Sequence, residues 1–245
     1  MKYKSALSGV ALVSTMFITL LSVSAEAAIR PQLTRAVAYA EDRETAVEVI
    51  NDSTEPYMVQ SWLEDTDGKD AGIPVVLTPP VMKLEGGKKG KLRLVVMKGK
   101  IPQDKESVYW LVMQEIPPKA KDDSNKLVIA IRSRLKVFVR PAGLDATGNN
   151  EAPSKIVWKT ETEAGKRWLR ATNPTKYHVS FGELALAAKG SKNTQRLDDK
   201  YRMVPPGGSE RYAVPDSLKS GPLSVTWSGM NDWGGAGPEN TTVIK

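Results

Sequence analysis

The sequence predicts an all-β protein of two β-sandwiches of unequal size. Three observations carry this reading. Short β-branched or aromatic runs recur along the chain with turn residues between them. After Ala28 no convincing long amphipathic helix interrupts them. A polar, breaker-rich stretch from Pro141 to Asn150 divides the runs into two sets.

The elements follow in order. Lys2 and Lys4 precede an apolar run, Ala6–Val23, and Ala25-Glu26-Ala27 fits an A-x-A cleavage site. Residues 1–27 therefore read as a secretory signal peptide, with a single membrane anchor as the rival reading. Cleavage after Ala27 removes two lysines and one glutamate, taking the net charge from +7 to +6. Leu33–Tyr39, Ala46–Ile50, Met58–Leu63, Lys91–Val96 and Tyr109–Glu115 read as strands. Turns or loops are expected at Asn51-Asp52-Ser53, Thr66-Asp67-Gly68, Glu85-Gly86-Gly87 and Pro117-Pro118. Leu127–Val139 alternates without a breaker, one face carrying Leu127, Ile129, Ile131, Ser133, Leu135, Val137 and Val139. As one strand it would run roughly 40 Å, more than a small sandwich can use, the alternative being two strands run together. The first domain is taken as 28–144 and the second as 145–245. The second set of strands is Ile156–Lys159, Lys166–Ala171, His178–Leu186, Gly208–Val214 and Leu223–Trp227.

Composition narrows the function. With Cys 0, disulfides, Cys-based metal sites and thiol nucleophiles drop out, and with His 1 any Ser-His-Asp triad would have to use His178. No G-x-S-x-G accompanies that histidine, which reads as an ordinary strand or surface residue. An enzyme is not expected, nor a metal or cofactor. The densest basic run, Lys88–Arg93, has no interleaved aromatic residues, so a solvated hairpin is expected rather than a nucleic-acid site. Gly234-Gly235-Ala236-Gly237 lacks the Lys-Ser/Thr of a phosphate loop and reads as a turn. Trp62, Trp158, Trp168 and Trp233 would serve as stacking platforms if the chain were an exported adhesin or carbohydrate-binding module, although core burial is commoner for tryptophan on strands.

Three blocks speak together. Leu33-Thr34-Arg35-Ala36-Val37 opens the mature chain. Pro102-Gln103-Asp104-Lys105-Glu106-Ser107 is followed by Tyr109-Trp110 and Ile116-Pro117-Pro118. The long alternating run closes with Arg134-Leu135-Lys136-Val137-Phe138-Val139-Arg140-Pro141. With Thr78-Pro79-Pro80-Val81, Asn173-Pro174-Thr175 and Asn231-Asp232-Trp233-Gly234-Gly235, this combination resembles the periplasmic pilus-assembly chaperones, the PapD-like family, in the subclass with a short connection before the long strand. Val112 departs from the family's usual Asn, and Arg134 from the first Lys of the strand-end motif.

The resemblance implies two immunoglobulin-like sandwiches in an L or boomerang, working in the periplasm. It implies a chaperone that lends a strand to a pilus subunit lacking one, with Leu127, Ile129 and Ile131 as donors into the subunit's groove. Arg35 and Lys136 would anchor the subunit's C-terminal carboxylate, each charge-assisted hydrogen bond contributing about 1.5–3 kcal/mol. Glu106, Arg140 and Asp232 match an interdomain ion network. Partners by resemblance are pilus subunits and an outer-membrane usher, without nucleic acid or stable membrane insertion, and a self-capping homodimer of the free chaperone is left open.

Overall fold

The computed structural model describes residues 27–119, 129–197 and 202–245. The N-terminal sandwich faces a four-stranded sheet against a five-stranded one. The first is ordered β1 (Ile29–Pro31), β3 (Thr45–Asn51), β7 (Lys89–Val96) and β5 (Val75–Thr78). The second is ordered β2 (Arg35–Tyr39), β9 (Arg132–Arg140), β8 (Ser107–Ile116), β4 (Tyr57–Glu64) and β6 (Val81–Leu84). Period-two patterning builds the core between them. Val59, Ser61 and Leu63 point inward from β4, and Leu92, Leu94 and Val96 from β7, where Lys89, Lys91 and Arg93 stay in water. Leu111, Met113, Leu135, Val137 and Val139 complete the opposite wall and are essentially inaccessible.

Two details of this sandwich position the site. The chain leaves β1 in one sheet and enters β2 in the other, so β2 is short. It pairs with β9 in parallel, from Arg35 opposite Lys136 to Tyr39 opposite Arg140. Residues 132–135 of β9 consequently have β8 as their one strand partner among the described residues.

The expected thirteen-residue strand is corrected. β9 begins at Arg132, and Leu127 and Val128 lie outside the described residues. The β8–β9 ladder ends at Gln114 opposite Arg132, although β8 itself runs on to Ile116 against β4. The buried Glu115 carboxylate finishes the end instead. It accepts from the Ile131 amide through Oε1 and from the Ile29 amide through Oε2, both at 3.0 Å.

The C-terminal sandwich sets β10 (Val157–Glu163), β11 (Lys166–Thr172) and β14 (Ser209–Ala213) against a second sheet. That sheet is ordered β13 (Gln195–Arg196), β12 (Phe181–Ala188), β15 (Leu223–Met230) and β16 (Ala236–Ile244). Its core is aromatic: Trp158 meets Trp227 edge-on, with centroids 5.3 Å apart, and Phe181 and Tyr212 pack beside them. The Trp227 indole N–H donates to the Pro153 carbonyl at 2.8 Å, so the buried ring keeps its polar end satisfied.

The segment read as a linker is itself folded. Residues 146–151 form a short helix, α1 (Ala146–Glu151), whose N-cap Asp145 accepts from the Gly148 amide at 2.8 Å. Gly148 is required there, because a Cβ would lie 2.3 Å from the Tyr177 hydroxyl.

Candidate functional site

The site grows from the β2–β9 pairing. Ala36, Ala38, Val137 and Val139 point into the sandwich, so Arg35, Val37 and Tyr39 point out, in register with Lys136, Phe138 and Arg140. Three outward rungs result, and the C-terminal domain closes over them. Met230 reaches Arg35, Ser180 reaches Lys136, His178 packs near Phe138 with ring centroids 6.0 Å apart, and Asp232 reaches Arg140.

The Arg140 rung is saturated. This guanidinium is 1% exposed and forks onto Asp232, with Nη1 to Oδ2 at 2.7 Å and Nη2 to Oδ1 at 2.6 Å. Its Nε donates to Glu106 Oε2 at 2.8 Å, and Nη1 also donates to the Tyr39 hydroxyl at 3.0 Å. The rings of Tyr39 and Tyr177 lie 5.5 and 5.4 Å from its central carbon. Burial alone would favour losing the proton, but the hydrogen bonds and charges of Asp232 and Glu106 outweigh it, and the guanidinium stays firmly charged. Asn149 of α1 donates to Asp232 Oδ1 at 2.9 Å, tying the interdomain connection into the same cluster.

His178 belongs to this cluster, which corrects its reading as an ordinary strand or surface residue. Its backbone amide donates to Glu106 Oε1 at 2.9 Å, and its Nδ1 lies 3.0 Å from the same oxygen. The Asn173-Pro174-Thr175 turn puts it there: Asn173 Nδ2 donates to the Tyr177 carbonyl, and the Glu106 amide donates to the Lys176 carbonyl. The signal that could have found His178 was this turn beside it, not the residue type.

The Arg35–Lys136 rung is the opposite case. Arg35 is 7% exposed, and its Nη2 donates to the Met230 sulfur at 3.0 Å, while its Nε has no partner. Lys136 Nζ has the Ser180 hydroxyl at 3.4 Å and the Trp110 ring at 6.0 Å. Among the described residues neither cation has a carboxylate within salt-bridge distance. Burial, and then the neighbouring Arg35, pushes the Lys136 ammonium down to about 8. Burial likewise lowers Arg35, with the more distant Asp232 and Glu106 working against it. Two adjacent cations short of hydrogen-bond acceptors have the chemistry to receive an anion, and a carboxylate would match both in charge and in number of acceptor oxygens.

The Arg35 end of the site borders open space. A cavity of about 400 Å³ opens beside β2, with Arg35, Asp232, Leu33, Val37 and Trp233 on its wall. The 231–235 loop closes against β2 because residue 234 is glycine: its φ is +85°, and a Cβ would sit 2.3 Å from Thr34 Oγ1. Asn231 fixes this loop, its Oδ1 accepting from the Trp233 and Gly235 amides. Ahead of β9, Ile129 is 59% exposed and Ile131 part-buried; Leu127, the third expected donor, lies outside the described residues. The four tryptophans of the carbohydrate reading share no face. Trp158 is core, Trp62 and Trp168 lie beneath Arg132 and Arg211 on different domains, and Trp233 stands 74% exposed on its loop.

Comparison with known proteins agrees with this architecture. Residues 28–145 match the pili and flagellar-assembly chaperone PapD N-terminal domain, and residues 151–241 match the pili assembly chaperone PapD C-terminal domain. The chain is 35% identical to the chaperone protein LpfB of Salmonella typhimurium over 217 residues, covering 86% of this chain and 87% of LpfB. It is 31% identical to the chaperone protein FimC of Escherichia coli K12, covering 90% of this chain and 86% of FimC. The crystal structure of the YadV chaperone superposes with a TM-score of 0.75 at 31% identity, covering 88% of this chain and 99% of that one. Two sandwiches, an ion-paired arginine between them and a pair of cations without a counter-ion beside it thus come with family matches over residues 28–145 and 151–241: the protein belongs to the PapD-like family of pilus-assembly chaperones.

Proposed function

We propose that this chaperone captures a strand-deficient pilus subunit by two simultaneous contacts. The subunit's terminal carboxylate enters the Arg35–Lys136 rung. Its exposed sheet edge then pairs with the β9 stretch that lacks a partner, and Leu127, Ile129 and Ile131 fill its groove. The observation that carries this reading is the juxtaposition of the two devices on one strand. Residues 132–135 of β9 have a strand partner on one side, and Lys136, the next residue, is a desolvated cation without a counter-ion. An unpaired backbone edge and an unpaired buried cation are each costly, and one partner ending in a carboxylate satisfies both. Strand addition supplies affinity through the backbone, and the anchored terminus fixes which subunit pocket meets which donor.

The reading assigns no catalytic role to any residue; His178, with its amide and Nδ1 on Glu106, is placed in the interdomain cluster. It places the mature chain, residues 28–245, in the periplasm, with domains at 28–144 and 145–245. An outer-membrane usher would receive the loaded complex, as the family implies. The test is co-expression with a pilus subunit in the periplasm. Arg35→Ala and Lys136→Ala should each abolish co-purification of the subunit while the chaperone's melting temperature holds. Parental levels of subunit on either variant would end carboxylate anchoring.

A further inference from the structure

Met230 and Ser180 are joined across the C-terminal domain, the Met230 amide donating to the Ser180 carbonyl at 2.8 Å. Each turns its side chain to one of the two anchoring cations: sulfur to Arg35 Nη2 at 3.0 Å, hydroxyl to Lys136 Nζ at 3.4 Å. The backbone holding Met230 is fixed by more than this bond. It lies where the β15–β16 register shifts, after a Gly229 packed so tightly on Pro153 that a Cβ would be 2.1 Å from Pro153 Cγ. The thioether therefore meets the guanidinium by construction, at the one rung where no carboxylate does.

A thioether is a weak, uncharged acceptor. It orients a guanidinium without neutralising it. Compare the Arg140 rung, where Asp232 and Glu106 take three of the five N–H donors and the Tyr39 hydroxyl a fourth. A carboxylate at position 230 would close the Arg35 rung in the same way, and an amide oxygen would close it in part.

We propose that Met230 is a resident, exchangeable acceptor that sets the affinity of Arg35 for a carboxylate. It parks the guanidinium in the free chaperone and gives way when the terminal carboxylate of a partner arrives. This rests on the anchoring reading above, and Met230 acts through Arg35 as a positioning residue.

The experiment uses the mature protein and two acetylated synthetic peptides of one alternating valine–serine sequence, one ending in a free carboxylate and one in an amide. Binding of both is measured by calorimetry to the parent, Met230→Leu, Met230→Gln, Met230→Glu and Arg35→Ala. The parent should prefer the free acid, and Arg35→Ala should lose that preference. Met230→Leu removes the competing acceptor at similar volume, so its preference should exceed the parent's by about threefold, and a preference equal to the parent's would overturn the proposal. Met230→Gln should lower free-acid affinity about tenfold, the scale of one stronger hydrogen bond to be displaced, with amide affinity unchanged. Met230→Glu should show no preference at all. If Met230→Gln keeps the parental preference, or if acid and amide affinities move together, Met230 is packing and the inference falls. A parent without preference, or an Arg35→Ala variant that keeps it, would overturn the anchoring reading itself. Should Met230→Glu fail to fold, the comparison of Leu with Gln decides alone.

Discussion

Raising the pH of a capture experiment from about 7 to about 9 carries Lys136 of the proposed anchor through its titration. Burial and Arg35 hold the Lys136 ammonium down to about 8 in the free chaperone. A bound carboxylate restores the charge, so capture near this pH takes up a proton. With the complex requiring a charged lysine, affinity follows the charged fraction of the free protein. That fraction is roughly nine-tenths at pH 7 and roughly one-tenth at pH 9, so affinity should fall about tenfold across the range. The assay is calorimetric binding of an acetylated free-acid peptide, repeated in two buffers of different ionisation enthalpy to count the proton taken up. The Lys136→Arg variant keeps its charge throughout and should give a flat profile. A flat parental profile, or an equally steep Lys136→Arg profile, would refute the assignment.

The same shift has a signed consequence for stability. The folded-state value lies below that of the unfolded chain, so the unfolded state binds more protons between about 8 and 10.5. Lys136 therefore penalises the fold fully below pH 8, and the penalty is relieved as pH rises through that window.

Three further outcomes are expected. Ile129→Asp should cripple subunit co-purification and shift the melting temperature by little, since Ile129 is already 59% exposed; a collapse in melting temperature would place it in the chaperone's own core. Asp232→Ala strips the forked partner from a 1% exposed guanidinium and should cost about 3–5 kcal/mol in urea denaturation, whereas a loss under about 1 kcal/mol would show that Glu106 and Tyr39 suffice. Intact mass of periplasmic protein should correspond to a chain starting at Ala28, and an uncleaved membrane-bound chain would contradict the signal-peptide reading.

Much of the fold is legible where one face of a strand is buried. The alternation in Met58–Leu63 and Lys91–Val96 maps directly onto β4 and β7, because each has an apolar side against the core and a polar side in water. The same rule hides β16, whose nine residues lie at the sheet's edge with no side chain fully buried. β5 and β6 flank Pro79 and Pro80, so four-residue strands look like loop. α1 contains Thr147, Gly148, Asn149 and Asn150, poor helix formers that are held by the Asp145 cap and by contacts to Tyr177 and Asp232.

The site was legible only as a family pattern. Arg35, Lys136, Glu106, Arg140 and Asp232 are scattered over the chain, and no local spacing joins them. It takes the parallel register of β2 on β9 and the closure of a second domain. Met230 and Ser180 carry no mark in the sequence, since what matters is their neutrality at a position where a carboxylate would close the site.

The contrast between the two rungs explains why the chain keeps one of them unsatisfied. Both lie on the same pair of strands, four residues apart on each, and both bury a guanidinium. At Arg140 two carboxylates, two aromatic rings and an asparagine from the connection fix the C-terminal domain against the N-terminal one. Desolvation offsets much of the attraction in such a cluster, so its product is orientation more than stability. Orientation is what the other rung needs. Arg35 and Lys136 can be left short of partners only while Ser180, Met230 and the 231–235 loop stay close enough to exclude water, and those groups belong to the other domain. On the proposed anchoring, the unmet cost is held in the free chaperone and released when a carboxylate arrives, so it would appear as affinity for a terminus rather than as stability of the fold. A salt bridge built at Arg35 from the chain's own residues would stabilise the chaperone and leave the carboxylate nothing to satisfy.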